Sequence, residues 1–583
     1  MNTALLLINS KDFPATEIHY QTSLILLTTL QKIGQLFPDA IRMTKDIANW
    51  YRNPQRPTGA DNLGAFNLAK QGLDWLDTLL NRISDAAKNF LLEQNLPLFH
   101  LAADLALELN QPDSAYSILE RSKSRVLLEQ MLREVVEPGP SVTDTLRQQY
   151  HQLRQDLRQL VDHLGTPTSN ESNENHDNGK TRFLAPSTRM ANLPPEQEKE
   201  LLQHQQHIEQ QLHKVRIAIA EQDPAFGEAI QPHPLTTADI AEILPPHALA
   251  IAFEQRPDFL YLYAITAQTI QAPIRVEITS TQLSERIDKF KTAVNSEIHL
   301  LAVIQIGEWL TEQLGTAIEQ LLNAEKSELL MVPHQAWHLL PLHLIQINGE
   351  PLTLSHAIRY IPSLQILRLI HARQQSEPGK GCIIANPDGS LSYAEEEGKI
   401  IKQHRPDDTL LIGEQATHAT VCQTLHTAKH GHFSCHGYFA PNLNAGLKLA
   451  NGETLQAKEL FAQIRLPNPR LIILSACETA QIETTLGDEY MGLPSSFLFA
   501  GAHNVLAALW RVEDKSTRLL MEDFYQGIAE GLTPILALQQ AQRTLREMPC
   551  DTAEKRLQSE IIGKKPYQNP YYWAGFVLVG DGE

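Results

Sequence analysis

The chain of 583 residues contains little cysteine and has no excess of positive charge. Its five cysteines all lie in the C-terminal part, at Cys382, Cys422, Cys435, Cys477 and Cys550. An odd and low number of thiols is typical of a reduced, cytoplasmic protein and not of a secreted disulfide scaffold. Acidic residues outnumber basic ones by 68 to 49, which gives a net charge of −19. We therefore expect no direct binding to nucleic acid and no attraction to an anionic membrane surface.

Several segments and motifs with well-defined functions are also missing. No apolar run approaches the roughly 20 residues that span a bilayer. Met1–Asn9 is apolar but short, has no basic n-region and is followed by Lys11 and Asp12, so we do not predict a signal peptide. A Walker loop, a Gly-x-Ser-x-Gly elbow and a Gly-x-Gly-x-x-Gly motif are all absent from the sequence. We expect the protein to work without a cofactor.

The first 137 residues have the apolar spacing of helices. Apolar residues recur every three or four positions through Leu24–Leu36, Leu68–Ile83 and Leu98–Leu132. Ala102–Leu132 is predicted to form two antiparallel helices joined by Asn110–Asp113, with Asp113 as the N-cap of the second. Helix pairs of this kind favour a tetratricopeptide-like (TPR-like) array. Because three clean copies of a 34-residue motif are not found, an irregular helical bundle remains the alternative.

Residues 138–234 are predicted to form a helical hairpin or linker. Thr145–Leu164 and Pro195–Gln222 are polar helices, and Thr166–Ser187 between them has almost no apolar content. Such a composition cannot offset the entropy of ordering, so we predict a disordered tip within residues 166–187. A plain solvated loop is the preferred interpretation over a regulatory cleavage site, and self-cleavage stays open.

From about residue 235 short apolar segments alternate with longer helical ones. The predicted strands are Ala248–Phe253, Leu260–Thr266, Ile274–Ile278, Leu329–Val332, Gly381–Asn386, Thr409–Gly413, His432–His436, Arg470–Ala476, Asn504–Trp510 and Phe576–Val579. This alternation predicts an α/β domain with a mostly parallel sheet covered by helices. In such sheets ligands and catalytic groups collect beyond the carboxyl ends of the strands.

Two of these strand ends carry residues of types that can act in catalysis. One segment ends in His436 and the flexible Gly437, and the other, an apolar run beginning at Leu471, ends in Cys477. A fully apolar run is typical of a buried parallel strand. The 41 residues between His436 and Cys477 leave room for one crossover to a neighbouring strand. Two such strands would place an imidazole beside a thiol.

A thiol beside an imidazole is the arrangement that cysteine catalysis requires. The thiolate of Cys477 would be the nucleophile, and His436 would lower its pKa or move its proton. The backbone amides of Gly437 and Cys477 are candidates for the oxyanion hole. A buried structural thiol is the common alternative. A zinc site at His432, Cys435 and His436 is disfavoured, because alternate residues of a strand face opposite sides.

The same residues belong to an ordered series of motifs that resembles the CHAT domain, a caspase-like peptidase domain often fused to TPRs. The series comprises Phe433–Gly437, Leu474–Thr479, Gly487–Glu489, Phe497–Ala502, Leu509–Asp514 and Pro570–Gly580, with Met331–His334, Leu340–Leu342 and Tyr360–Ser363 upstream. The resemblance covers about residues 245–583. It implies cysteine endopeptidase activity, with His436 and Cys477 as the catalytic pair. We expect no metal, because the spacing of the histidines does not suit a zinc site.

The resemblance also implies a two-part catalytic region. Residues 235–375 would be a pseudo-protease α/β half, and residues 376–583 would hold the active site. The substrate would be a protein bound as an extended strand, and the helical region would bind a regulatory protein. The alternative is a non-catalytic TPR–CHAT scaffold, against which the intact His436, Gly437 and Cys477 argue. A cysteine-dependent acyl transferase or other hydrolase is a second alternative.

The residues that would select the substrate side chain are less defined. Asp488, Glu489 and Asp514 would suit a basic residue before the scissile bond. Arg518, like Arg511, would suit an acidic one. The sequence leaves this preference open.

Overall fold

The fold is given by a computed structural model that describes residues 38–583 except 56–58, 81–84, 136–141, 164–194, 224–233, 323–325, 374–378, 441–442, 463, 468, 477–478, 481 and 485–489. The predicted helix at Leu24–Leu36 and the predicted disordered tip, Thr166–Ser187, lie outside the described residues. Within the described part of the chain, no helix has the length and apolar character needed to cross a membrane.

The amino-terminal region is helical, as predicted. Its helices are α1 (Pro38–Arg52), α2 (Asn62–Leu80), α3 (Asp85–Glu108), α4 (Pro112–Glu120), α5 (Arg125–Val135), α6 (Asp144–His163) and α7 (Pro195–Gln222), and a short α8 (Thr237–Ile243) leads into the sheet. Successive helices α1 to α4 pack against one another. Helices α6 and α7 form a hairpin with a separate small core that includes Tyr150, Leu212 and Ile219.

The prediction of two helices in Ala102–Leu132 is wrong, because this stretch contains parts of three. Residues 121–124 break the second helix, and Ser124 adopts a left-handed backbone with φ of 46°. The N-cap of α4 is Gln111 rather than Asp113, which lies in the first turn of the helix after Pro112. The break turns Lys123 inward, where tertiary contacts outweigh local helix propensity.

An 11-stranded sheet forms the α/β domain. Its strands are β1 (Ala248–Gln255), β2 (Leu260–Ile265), β3 (Ile274–Val276), β4 (Glu328–Val332), β7 (Ala357–Tyr360), β8 (Cys382–Ala385), β9 (Thr409–Ile412), β10 (His430–Ser434), β14 (Leu471–Ser475), β17 (Asn504–Ala508) and β18 (Phe576–Gly580). The spatial order is β3-β2-β1-β4-β7-β18-β17-β14-β10-β8-β9. The short strands β5 (Gln346–Ile347), β6 (Glu350–Pro351), β11 (Gly437–Tyr438), β12 (Gly446–Lys448), β13 (Thr454–Gln456), β15 (Ile482–Thr484) and β16 (Tyr490–Gly492) form three small sheets.

Helices connect and cover these strands. They are α9 (Ser280–Val294), α10 (His299–Leu321), α11 (Leu352–Ser355), α12 (Leu364–His371), α13 (Ser392–His404), α14 (His418–Leu425), α15 (Ala457–Ala462), α16 (Leu493–Ala500), α17 (Asp514–Ala529), α18 (Pro534–Glu547), α19 (Cys550–Leu557) and α20 (Pro570–Trp573). The predicted fold class, a helical region followed by an α/β domain with a mostly parallel sheet, is confirmed. Neighbouring β14, β10, β8 and β9 are mutually parallel, as are β1, β4 and β7, whereas β2 and β18 run antiparallel to β1 and β17.

We call the strands on either side of the contact between β7 and β18 the first and the second α/β unit. The first contributes β1 to β4 and β7, and the second contributes the remaining six strands. They meet in the sheet at one residue pair, Tyr360 of β7 and Val579 of β18. The His343 imidazole reinforces this junction, since it hydrogen-bonds the Tyr360 hydroxyl at 2.8 Å and the Ala574 carbonyl at 2.9 Å. The boundaries predicted for the halves, 235–375 and 376–583, stay a prediction.

The helical region docks on the first unit through buried polar contacts. Lys123 Nζ, in the break between α4 and α5, donates to the Phe253 carbonyl of β1 at 2.8 Å. The Glu120 carboxylate accepts a bond from the Gln365 amide of α12 at 3.1 Å. Lys123 and Glu120 are almost fully buried. Buried charged groups of this kind are favourable only while their partners stay in place, so these contacts fix the docking geometry.

Replacing Lys123 with Met is therefore expected to lower the free energy of unfolding by about 1–3 kcal/mol, because the Phe253 carbonyl would lose its buried donor. Urea unfolding followed by circular dichroism measures this loss. Lys70→Met is the control, since Lys70 lies on the exposed face of α2. Equal unfolding midpoints for the two variants would contradict the docking role of Lys123.

Candidate active site

Strands β10 and β14 bring the two predicted strand ends together. They pair in parallel, with residue partners from His430 and Leu471 to Ser434 and Ser475. Both strands are buried along their length. The strand predicted as His432–His436 ends two residues early, at Ser434, so His436 lies in the loop beyond the strand. Ser434 and Ser475 are directly opposed, and His436 and Cys477 each follow these partners by two positions in the sequence.

A cleft of about 790 Å³ lies at these strand ends. Both α/β units line it. The second unit contributes Leu391, Ala394, Glu397, Ser434, Cys435, His436, Gly437, Ser475, Ala476, Arg511, Val512, Glu513, Asp514, Thr517, Tyr571 and Tyr572, and the first contributes Val294, Asn295, Ser296 and His299. Cys477 is outside the described residues, and the residue before it, Ala476, lines the cleft.

His436 is held by the loop that follows β8. Its Nε2 atom lies 2.8 Å from Ser390 Oγ and 3.9 Å from the Asp388 carboxylate. Ser390 Oγ in turn donates to Asp388 at 2.7 Å. Partial burial opposes ionisation of Asp388, but the hydrogen bonds from Ser390 and the nearby His436 lower the pKa of its carboxyl below the ordinary value. A carboxylate and a hydroxyl thus orient the imidazole.

The sequence Asn386-Pro-Asp-Gly-Ser390 shapes this loop. Asn386 has a left-handed backbone with φ of 48°, its amide donates to the Ser434 carbonyl at 2.9 Å, and its side chain accepts from the Leu391 amide at 2.8 Å. The bond to Ser434 ties the loop to the end of β10. Sequence reasoning missed Asp388 and Ser390. Their signal was a polar turn sequence directly after a buried strand, the position where such sheets place functional groups.

Carboxyl groups from α13 and α17 also line the cleft. Glu397 of α13 is buried, and its Oε1 atom lies 2.7 Å from Nε2 of His432. Asp514 begins α17 and accepts a bond from the Tyr393 amide at 3.3 Å. Burial and the neighbouring Glu397 carboxylate raise the pKa of Asp514 to about 6. Sequence reasoning identified Asp514 and missed Glu397.

Two hydroxyl groups of the cleft have no hydrogen-bond partner within the described part of the chain. They are Ser475 Oγ and Thr517 Oγ1, and both side chains are more than nine-tenths buried. Buried polar atoms are normally satisfied. Thr517 lies on the same helix, α17, as Asp514, so a group bound there would meet a carboxyl and a free hydroxyl together.

Of the other predicted site residues, some line the cleft and some do not. Gly437 lines the cleft beside His436 and starts the short strand β11. Asp488 and Glu489 lie outside the described residues. Arg518 does not line the cleft, since its guanidinium donates to the Arg556 carbonyl at 2.7 Å and lies 3.7 Å from Glu396.

The histidines of the β10 segment are not brought together. His432 points to Glu397, with its other nitrogen 3.3 Å from the Tyr525 hydroxyl, whereas His436 faces the cleft. Among the residues that the structure describes, no group of three or more His, Cys, Asp or Glu side chains is arranged to hold a metal ion.

Comparison with known proteins finds a family match and a relative of part of the chain. The CHAT domain family matches residues 305–581. A segment of 111 residues, 19% of this chain, is 29% identical to tetratricopeptide repeat protein 28 of Mus musculus and spans only 4% of that protein.

Two solved structures are among the similar folds. The Saccharomyces cerevisiae separase–securin complex gives a TM-score of 0.41 at 12% identity, over 97% of this chain and 48% of the other. The Arg-specific cysteine proteinase gingipain R gives 0.32 at 9% identity, over 52% of this chain and 74% of the other. The family match covers β4 and every later strand of the sheet, and with it both strand ends that form the cleft. Residues 305–581 of this chain are a CHAT domain.

Proposed function

We propose that the chain is a cysteine endopeptidase with Cys477 as nucleophile and His436 as general acid and base. The observation that carries this proposal is the parallel, in-register pairing of β10 with β14. His436 and Cys477 each come two residues after the last pair of this ladder in the sequence. A cleft lined by His436 and Gly437 gives a polypeptide access to that edge. The orientation of His436 by Ser390 and Asp388 supports a working imidazole rather than a structural one.

The mechanism has two stages. The Cys477 thiolate attacks the scissile carbonyl carbon, and the amides of Gly437 and Cys477 stabilise the oxyanion. His436 then protonates the leaving amine, which departs and leaves a thioester on Cys477. Water, deprotonated by His436, hydrolyses the thioester and regenerates the thiol. Asp388 stabilises the imidazolium form that exists between these steps.

A cationic substrate side chain would suit the acidic side of the cleft. Glu397 and Asp514 supply carboxyl oxygens, and Thr517 supplies a hydroxyl without a partner in the described chain. A guanidinium offers several donors to such a set and forms charge-assisted hydrogen bonds with carboxylates. Its positive charge would also relieve the unfavourable proximity of Asp514 to Glu397. We therefore extend the proposal to cleavage next to an arginine or a lysine.

The helical region would bind a regulatory protein. Its docking on the first α/β unit through Lys123 and Glu120 supports this role, because that unit also supplies Asn295, Ser296 and His299 to the cleft. A shift of the helical region would thereby be transmitted through the first α/β unit to the residues of the cleft. A chain without activity would instead act as a scaffold through the same helical surface.

The proposed dyad is tested with a panel of peptide electrophiles that differ in the residue before the reactive group. Intact-mass analysis is expected to find one adduct on the wild type, none on Cys477→Ala, and slower formation on His436→Ala. Cys435→Ala is the matched control, since Cys435 is the other thiol of the cleft and should not be needed. Absence of an adduct for every electrophile, or its persistence in Cys477→Ala, would contradict the peptidase and favour the scaffold.

Asp388→Asn and Ser390→Ala test the orientation of His436. Each is expected to lower kcat for peptide cleavage by about 10- to 100-fold, because a displaced imidazole transfers protons poorly. In Asp388→Asn the loss should appear in kcat and leave KM near the wild-type value, because Asp388 orients the imidazole and is not among the residues that line the cleft. Asp407→Asn, which removes an exposed carboxylate, serves as control. A purely structural role would lower stability without this selective loss of kcat.

The pKa of Asp514, raised to about 6, predicts a pH-dependent preference for arginine. Below pH 6 the carboxyl is neutral, and above it the ionised form attracts a guanidinium. The reaction rate of an arginine electrophile, divided by that of its neutral citrulline analogue, should therefore rise as the pH passes through 6. Because both electrophiles react with the same thiol, the pH dependence that they share divides out of this ratio.

At pH 7.5 Asp514→Asn is expected to lower the arginine-to-citrulline ratio by about 10- to 100-fold, the value of a charged hydrogen bond. Asp551→Asn, at an exposed position of α19, should leave the ratio unchanged. A ratio near one for the wild type at every pH would disprove the cationic preference and leave the dyad untouched.

A further inference from the structure

A buried imidazole holds one of the carboxylates that line the cleft. His432 Nε2 lies 2.7 Å from Oε1 of Glu397, and both side chains are almost fully buried. His432 comes two residues before Ser434 on β10, so the two side chains share a face of the strand. Ser434 and Glu397 both line the cleft, whereas His432 does not. The imidazole therefore contacts the wall of the cleft from inside the protein.

Tyr525 of α17 fixes the tautomer of this imidazole. Its hydroxyl lies 3.3 Å from His432 Nδ1, and the part of the chain that the structure describes offers it no other hydrogen-bond partner. Burial raises the pKa of the Tyr525 phenol, so the hydroxyl keeps its proton and donates to Nδ1. The ring hydrogen of His432 then lies on Nε2, which donates to Glu397. These hydrogen bonds run from Tyr525 through His432 and end on the carboxylate.

This arrangement leaves one oxygen of Glu397 for a bound group. Oε1 accepts from His432, whereas no hydrogen bond to Oε2 is found among the described residues. The negative charge of Glu397 acts within the cleft, since it adds to burial in raising the pKa of Asp514. A buried carboxylate is favourable only while its donor stays in place. His432 therefore decides whether Glu397 presents a negative charge of fixed orientation to the cleft.

A second pair of imidazole and carboxylate on the same strand has no connection to the cleft. His430, two residues before His432, contacts the buried Asp408 carboxylate. Neither His430 nor Asp408 is among the residues that line the cleft. The two pairs have the same chemistry and differ in what the carboxylate reaches. A comparison of them separates a contribution to the stability of β10 from an effect on the cleft.

We propose that His432 is a positioning residue for substrate selection, which holds the Glu397 carboxylate in place for the cationic side chain next to the scissile bond. This inference rests on the proposed peptidase function and on its preference for arginine or lysine. It gives His432 no contact with the substrate. The whole effect of the imidazole on selection passes through Glu397.

Substitutions of His432 test this role through the arginine-to-citrulline ratio of electrophile reaction rates at pH 7.5. His432→Leu is expected to lower the ratio about tenfold, because Glu397 loses its donor, and to leave the citrulline rate near the wild-type value. His432→Gln should keep most of the ratio, since its amide supplies an N–H in the place of Nε2. His432→Asn is too short to reach Glu397 and should behave like His432→Leu, which preserves the test if the leucine variant does not fold.

A double-mutant cycle shows whether His432 acts through Glu397. Glu397→Gln should lower the ratio by itself, and adding His432→Leu should lower it no further. His430→Leu is the matched control and should leave the ratio unchanged. An unchanged ratio in both His432→Leu and His432→Asn, beside a clear arginine preference of the wild type, would overturn the positioning role and leave the peptidase standing. A further fall in the double variant would overturn it as well.

Binding to Cys477→Ala separates this inference from the proposed function. Fluorophore-labelled arginine and citrulline peptides are compared by anisotropy, which needs no catalysis. A tenfold arginine preference in binding that His432→Leu removes, without any adduct on the chain that retains Cys477, would uphold the positioning role and disprove the peptidase. Equal binding and equal reaction of both peptides with the wild-type site would overturn the role of His432 together with the cationic preference.

Discussion

The parallel pairing of β10 with β14 is the constraint on which the candidate site depends. Because their last residues are in register, the loops that follow leave the sheet side by side at one edge. The neighbours of this pair are β8 and β17. The loop after β8 carries Asp388 and Ser390, and the loop after β17 leads to Asp514. Four adjacent strands thus each deliver one loop to the same cleft.

The cleft contains groups that a purely structural domain would avoid. Asp514 has its pKa raised to about 6 by burial and by Glu397, so its charged form is less favourable than that of an ordinary aspartate. Ser475 and Thr517 bury hydroxyl groups without partners in the described chain. Such features lower stability and are retained where a bound ligand compensates them. The proposed preference for a cationic side chain rests on these groups.

The first α/β unit joins the rest of the chain at three levels. It continues the sheet through Tyr360 and Val579, and the helical region docks on it through Lys123. It also sends the start of α10 to the cleft, where His299 meets Tyr571. The first α/β unit, which contains no cysteine, therefore contacts both the helical region and the candidate active site.

Local sequence patterns determined much of this architecture. Apolar runs such as Leu471–Ser475 predicted buried strands, their alternation with helical segments predicted the parallel sheet, and the motifs around His436 and Cys477 predicted the CHAT domain. These features are encoded within a few residues, where side-chain periodicity and strand burial act directly. The same patterns could not show which strands are neighbours.

Tertiary structure alone decided the supporting residues. Ser390 and Glu397 lie 46 and 39 residues before His436 in the sequence. Only the spatial arrangement of β8, β10 and α13 brings Ser390 to His436 and Glu397 into the cleft. The break at residues 121–124 likewise exists because Lys123 bonds a carbonyl of β1, 130 residues away. The physical reason is that hydrogen bonds and charges act through space over a few ångströms, whereas sequence periodicity reports only which face of an element is buried.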